Sequence, residues 1–183
     1  MYKKYTNYEL NKIAFGLLED SKITSIPVDT VELARKMGIE TVKYSTLDAD
    51  ELDRLLEIEE NIDAFGFYDN IGENEFYYIY YDDQLTPDEI RLVMAREITK
   101  YVFMDLDEEL YEKIEFDFIC YLLVPVSCLF FIPEINVDEI MKNFHVNSKV
   151  AENCYKLFVS RVTKYGTKLF SFENDSFMNF ENV

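Results

Sequence analysis

The run Arg96-Glu97-Ile98-Thr99-Lys100 gathers charge at a spacing that chemistry uses. Positions four apart share a helix face, so Arg96 and Lys100 point the same way with Glu97 beside them. A guanidinium offers no lone pair, and an ammonium must lose its proton before it can coordinate. Two such cations repel a metal dication. The trio suits a charge network instead, in which Glu97, with Glu112 or Glu115 from the next helix, neutralises the bases; the bland alternative is that both bases reach solvent. The rest of the inventory is sparse. A single histidine, His145, excludes a two-histidine metal site within one chain. Its place after Phe144 reads as a surface or turn residue. Ser127 and Ser160 lack any nucleophile-elbow context, and the five glycines are too scattered to cradle phosphate. Cys120, Cys128 and Cys154 lack paired CxxC spacing, and apolar neighbours make them core thiols. No cofactor is implied.

The elements that carry these residues follow from periodicity. Leu10, Ile13, Ala14, Leu17 and Leu18 make one apolar stripe, predicting a helix over 7–20. Asp29 with Glu32 starts a second helix that Gly38 stops. Residues 39–44, 64–68 and 76–81 read as strands of a small, mainly antiparallel sheet, with the aromatic run Phe76 to Tyr81 covering the core. Thr86-Pro87-Asp88-Glu89 is the sharpest local signal, a capping Thr with Pro at the first helical position and a box-closing Glu. A helix over 86–104 follows, then a buried one over 108–124 that ends before Pro125. Val137–Phe144 and Ser148–Lys164 form a helix pair. The tail from Ser171 lacks a period and is expected to be a strand or loose.

Composition sets further bounds. With 183 residues, 49% hydrophobic and 30% charged, the chain has the makeup of a globular protein rather than a disordered or repetitive one. Its net charge of −18 disfavours direct binding to nucleic acid or to an anionic membrane. The uncharged run from Phe118 to Ile132 is shorter than the ~20 residues of a spanning helix, and Pro125 interrupts it. A polar start without an apolar segment points to the cytoplasm. Residues 46–89 hold fifteen acids and one base, Arg54. They read as a solvated helix and hairpin rim, or as a docking face for a basic partner, centred on Asp48, Asp50, Glu51, Asp53, Glu57, Glu59 and Glu60.

The segment Arg91 to Val102 resembles the metal-binding helix of the ImmA/IrrE family of metallopeptidases, which carries a pattern like RxxxAHELGHxL. Arg96 and Lys100 stand where that pattern has its two zinc-ligating histidines, and Glu97 stands at the general-base position. The likeness runs over about residues 5–165. Ile26-Pro27-Val28-Asp29 with Met37-Gly38-Ile39 looks like the family's entry into its first strand. Asp63 to Tyr68 and Tyr78 to Asp83 look like its hairpin, and Phe118 to Pro125 is similar to a segment written EANxFAxxLLMP. Counting back from Pro125 puts Ile114 at the family's metal-binding Glu, with Glu115 one position off.

The resemblance implies an α+β, zincin-like fold: a small sheet packed on two central helices within residues 1–133, and a helical C-terminal region over 134–183. It implies that Arg96, Glu97, Lys100 and Ile114 are the remnant of an active site. The expected function is that of an inactive pseudo-metallopeptidase that acts by protein–protein binding. Its expected partner is a helix-turn-helix repressor of a phage or mobile element. The rival expectation is an acidic DNA mimic that blocks a nuclease or defence protein, and a residual metallopeptidase is a third.

Overall fold

The computed structural model describes residues 5–57, 63–71 and 74–176 and is mixed α+β. The chain divides into two compact units, one of residues 30–104 and one of residues 1–29 with 105–183.

The first unit holds the sheet. Helix α2 (Thr30–Lys36) buries Leu33 and Ala34, and Gly38 at φ +82° supplies the left-handed turn that leads into β1 (Glu40–Lys43). Helix α3 (Ala49–Leu56) is capped by Asp48, whose side chain accepts from the Glu51 amide at 2.8 Å while Glu51 accepts from the Asp48 amide at 3.2 Å. None of its residues is fully buried, so it is the solvated helix expected of this acidic stretch. Strands β2 (Ala64–Ile71) and β3 (Asn74–Tyr81) form an antiparallel hairpin, with Ala64 opposite Tyr81 and Tyr68 opposite Tyr77. The sheet order is β1-β3-β2, and β1 runs parallel to β3. The sheet is therefore mixed, and the expectation of mainly antiparallel pairing describes its hairpin alone. A parallel neighbour requires a crossover, and the segment from Tyr44 through α3 and β2 supplies it.

Alternation sorts the hairpin's side chains. Ala64, Tyr77, Ile79 and Tyr81 are buried on the side where α4 (Pro87–Val102) packs, and Tyr77 meets Tyr101 of α4 with ring centroids 4.9 Å apart. Gly66 is required under the Tyr77 ring, since any Cβ there would collide with its phenol. On the other face Phe65, Phe67, Tyr78 and Tyr80 stack; Tyr80 lies 5.4 Å from both Phe65 and Phe67, nearly parallel to each.

The second unit is helical. Helix α1 (Asn7–Asp20) opens on a Thr6–Glu9 capping box and buries Leu10, Ala14 and Leu18 against α5 (Glu108–Leu123). A short turn of helix, α6 (Val126–Leu129), follows Pro125. Helices α7 (Val137–Phe144) and α8 (Ser148–Tyr165) pack on each other, and α8 also packs on α5. His145 ends α7 in the left-handed conformation at φ 50° and is exposed, as its position in the sequence suggests. All three cysteines are free and buried. Burial pushes the Cys128 thiol up to about 12 and raises Cys154 in the same way.

The tail departs from expectation. Residues from Ser171 form a helix, α9 (Ser171–Ser176), that packs on α1; residues 177–183 lie outside the described residues. Phe172 meets Phe15 and Tyr8 of α1 edge-on, both at 5.6 Å, and Glu173 is fully buried. Among the described residues no helix is long and apolar enough to cross a membrane.

Candidate functional site

Helix α4 sets the site. Its Thr86–Glu89 box and Pro87 fix its start, so the register of every later residue follows. Val93, Met94, Ala95 and Ile98 are buried. Glu97 falls among them and is only 1% exposed, while Arg96 and Lys100 lie at the margin of this face. The Lys100 ammonium turns back one turn and donates to Glu97 Oε1 at 2.8 Å. A lysine stem can cover apolar surface while its head stays hydrated, and Lys100 keeps 43% of its side chain in solvent.

The two bases therefore part company. Lys100 takes the pairing with Glu97, whereas Arg96 makes no hydrogen bond or ion pair among the described residues. The remaining remnant positions lie on α5, in the other unit. Ile114 is buried, Glu112 is exposed, and Glu115 accepts a hydrogen bond from the Tyr111 hydroxyl at 3.1 Å. Among the described residues no group of three or more His, Cys, Asp or Glu is placed to hold a metal ion.

Tyr44 is the participant that sequence reasoning missed. It follows β1 and is buried, and its hydroxyl makes no hydrogen bond among the described residues. Burial raises its pKa well above the ordinary tyrosine value, and the negative charges of Asp82, Asp63 and Glu97 add to the shift. Glu97 thus shares its surroundings with a neutral phenol and two further acids. No spacing rule links residue 44 to residue 97. The pleat position of Tyr44 at a strand end was the only signal.

The acids expected to dock a partner divide by role. Asp48 and Glu51 cap α3, which places their side chains at its N-terminus. Asp50, Asp53 and Glu57 are exposed; Glu59 and Glu60 lie outside the described residues. Glu51 and Asp69 both raise the pKa of Tyr80 by their charge, behind the larger effects of burial and of Tyr78. Acids therefore border the stacked aromatic face, on which Phe67, Tyr78 and Tyr80 remain partly exposed. Compared with known proteins, the chain matches no family model, no curated protein and no solved structure.

Proposed function

We propose that this chain is a catalytically inactive, zincin-like protein of the ImmA/IrrE kind that works by binding, with a helix-turn-helix repressor of a phage or mobile element as its partner. The observation that carries the reading is the state of Glu97. Of the two histidine positions and the general-base position in the family's metal-binding helix, the chain keeps only the last, Glu97, and it is buried and bonded at 2.8 Å to Lys100, a cation standing at a ligand position. A carboxylate so placed neutralises a fixed charge rather than activating water. The order of elements from α2 to α5 supports the zincin-like part of the reading.

The binding part rests on α3 and the hairpin. Exposed Asp50, Asp53 and Glu57, with Glu51 beside an aromatic face, suit a basic DNA-binding domain: acids steer it, and the ring faces of Phe67, Tyr78 and Tyr80 accept Arg or Lys by cation–π contact. A tagged full-length chain, used as bait at low ionic strength in its native host, should capture a helix-turn-helix regulator that salt releases. Capture of a nuclease that DNA displaces would favour the DNA-mimic reading. Stoichiometric zinc in the purified protein, with peptidase activity abolished by a chelator and by Glu97→Gln, would overturn the inactive reading.

A further inference from the structure

The outer face of the sheet carries an aromatic ladder that stops one place short. Its rings alternate across the hairpin in the order Phe65, Tyr80, Phe67, Tyr78. Tyr80 lies 5.4 Å from both Phe65 and Phe67, at 7° to each, and Phe67 lies 6.2 Å from Tyr78 at 29°. Neighbouring rings on one strand are 6.1 Å apart for Phe65 and Phe67 and 6.2 Å apart for Tyr78 and Tyr80, and a ring from the opposite strand fills each gap. The pleat sets that spacing, since two residues along a strand rise roughly 7 Å. The next pair on β3 is Tyr78 and Phe76, and the β2 residue whose turn comes there is Asp69, which pairs with Phe76 in the register. A carboxylate therefore stands where the next ring would be.

This slot is open. Phe76 is 36% exposed and makes no ring contact among the described residues, Tyr78 is partly exposed, and Asp69 is exposed. Glu40 of β1 lies beside Tyr78 in the register, on the same face, and is exposed as well. Neither acid has an ion pair among the described residues, and the pleat positions that share this face on the three strands hold no Lys or Arg among those residues. The slot thus offers a flat ring and negative charge, and lacks a cation. Arginine supplies both halves of the match: its planar guanidinium stacks on an aromatic face and bonds a carboxylate through two parallel N–H donors, whereas a lysine ammonium is a compact, strongly hydrated point charge. A nucleic-acid base is also flat, but its phosphates would meet Asp69, Glu40 and a chain of net charge −18.

We propose that the slot between Tyr78 and Phe76 is an arginine-recognition site, in which a guanidinium of a partner protein stacks on the Tyr78 ring and bonds Asp69, with Glu40 favouring its charge. The inference rests on the reading of this face as a docking surface for a basic DNA-binding domain, and it names the side chain that the face selects. On such a domain exposed arginines are the groups that meet phosphate and guanine, so occupancy of the slot and binding of DNA exclude each other.

The test uses the full chain and two capped tripeptides of equal charge, tri-arginine and tri-lysine, titrated at physiological ionic strength and followed by NMR. Tri-arginine is expected to shift residues 67–69 and 76–80 and to bind about fivefold more tightly than tri-lysine, the margin that stacking adds. Phe76→Leu keeps an apolar side chain at an exposed position and removes the flat face, while Asp69→Asn removes the two-point acceptor. Each should bring the arginine-to-lysine ratio close to one with the melting midpoint held. Asp53→Asn, which removes the same charge from α3, should weaken both peptides alike and keep the ratio. Equal affinity of the two peptides for the wild-type chain, shifts confined to α3, or a ratio unchanged in both Phe76→Leu and Asp69→Asn would overturn the proposal. Arginine preference at the slot in a chain that captures no helix-turn-helix regulator supports the site and removes that partner; capture of the regulator without arginine preference keeps the partner and overturns the site.

Discussion

Glu97 and Glu173 are both buried carboxylates, one in each unit, yet they are held in opposite ways. Glu173 is sealed: its partner Arg161 is 6% exposed, the pairing uses both carboxylate oxygens, and Asn11 and the Phe170 amide add two more donors. Glu97 has a partner that opens to solvent, Lys100, on the same helix one turn away. Burial of the acid alone therefore does not define its role. A planar guanidinium that bonds both oxygens ties segments distant in sequence, here residues 161 and 173 with residue 11, whereas a flexible ammonium neutralises a charge locally and leaves the surface adaptable. The first arrangement builds a fold. The second is what remains when a charged position must be compensated without being closed.

Breaking the sealed pair should have the largest effect. Glu173→Gln or Arg161→Ala leaves a buried charge uncompensated, at a cost of about 3–5 kcal/mol. Denaturant melts followed by tyrosine fluorescence would measure it, and a loss below about 1 kcal/mol would mean that the aromatic contacts of Phe170 and Phe172, not the ion pair, hold the tail.

Alkali should separate the two units next. Cys128, Cys154 and Tyr121 of the helical unit all ionise less readily when folded, so their contribution is intact below the unfolded thiol value, about 8.5, and is lost as pH rises beyond it. The sheet unit has Tyr44 as its strongly raised group, and an unfolded tyrosine ionises only near 10. Amide exchange measured from pH 8 upward should show α5 and α8 loosening before α4 and the hairpin. Simultaneous loosening would mean that the units unfold as one.

A smaller loss is expected from Lys100→Ala, about 1–2 kcal/mol, above the range of exposed ion pairs and below that of the sealed pair because solvent screens the lysine. Arg96→Ala, which removes no pairing among the described residues, should change stability by less than about 0.5 kcal/mol. Equal losses for the two would show that the bases act as one cationic face rather than as a paired and a spare charge.

The same contrast explains which features were legible in the sequence. Thr86-Pro87-Asp88-Glu89 announced α4 because a capping box is a local device, and the i, i+3 and i+4 relations of Arg96, Glu97 and Lys100 follow from the helix alone. The apolar stripe from Leu10 to Leu18 likewise marked α1. Glu173 gave no such signal. Its side-chain partners lie 12 and 162 residues away, and Phe170 and Phe172 beside it show no helical period because α9 is under two turns long. Tyr44 was hidden for the same reason, since its neighbours Asp63, Asp82 and Glu97 come from three separate segments. The parallel edge β1 also escaped, because strand direction is set by the crossover and not by the alternation of Glu40 to Lys43.

The smallest effect tests whether burial is needed at all to hold a carboxylate charged. Asp83 is surface-placed, yet its pKa lies below the ordinary value because the Ser45 hydroxyl donates to it at 2.7 Å and the Ser45 amide at 3.1 Å. These donors are neutral, so no cation is required for the main effect. A lowered folded value means that Asp83 stabilises the fold above the unfolded value of about 4 and that this contribution disappears as pH falls through the folded value. Ser45→Ala removes the shorter bond and keeps the amide. NMR titration should then place Asp83 closer to its ordinary value, and the stability gap from wild type should be present at neutral pH and vanish in acid. A titration unchanged by the substitution would assign the shift to the backbone amide, making Asp83 a third way of holding a carboxylate, by main chain alone.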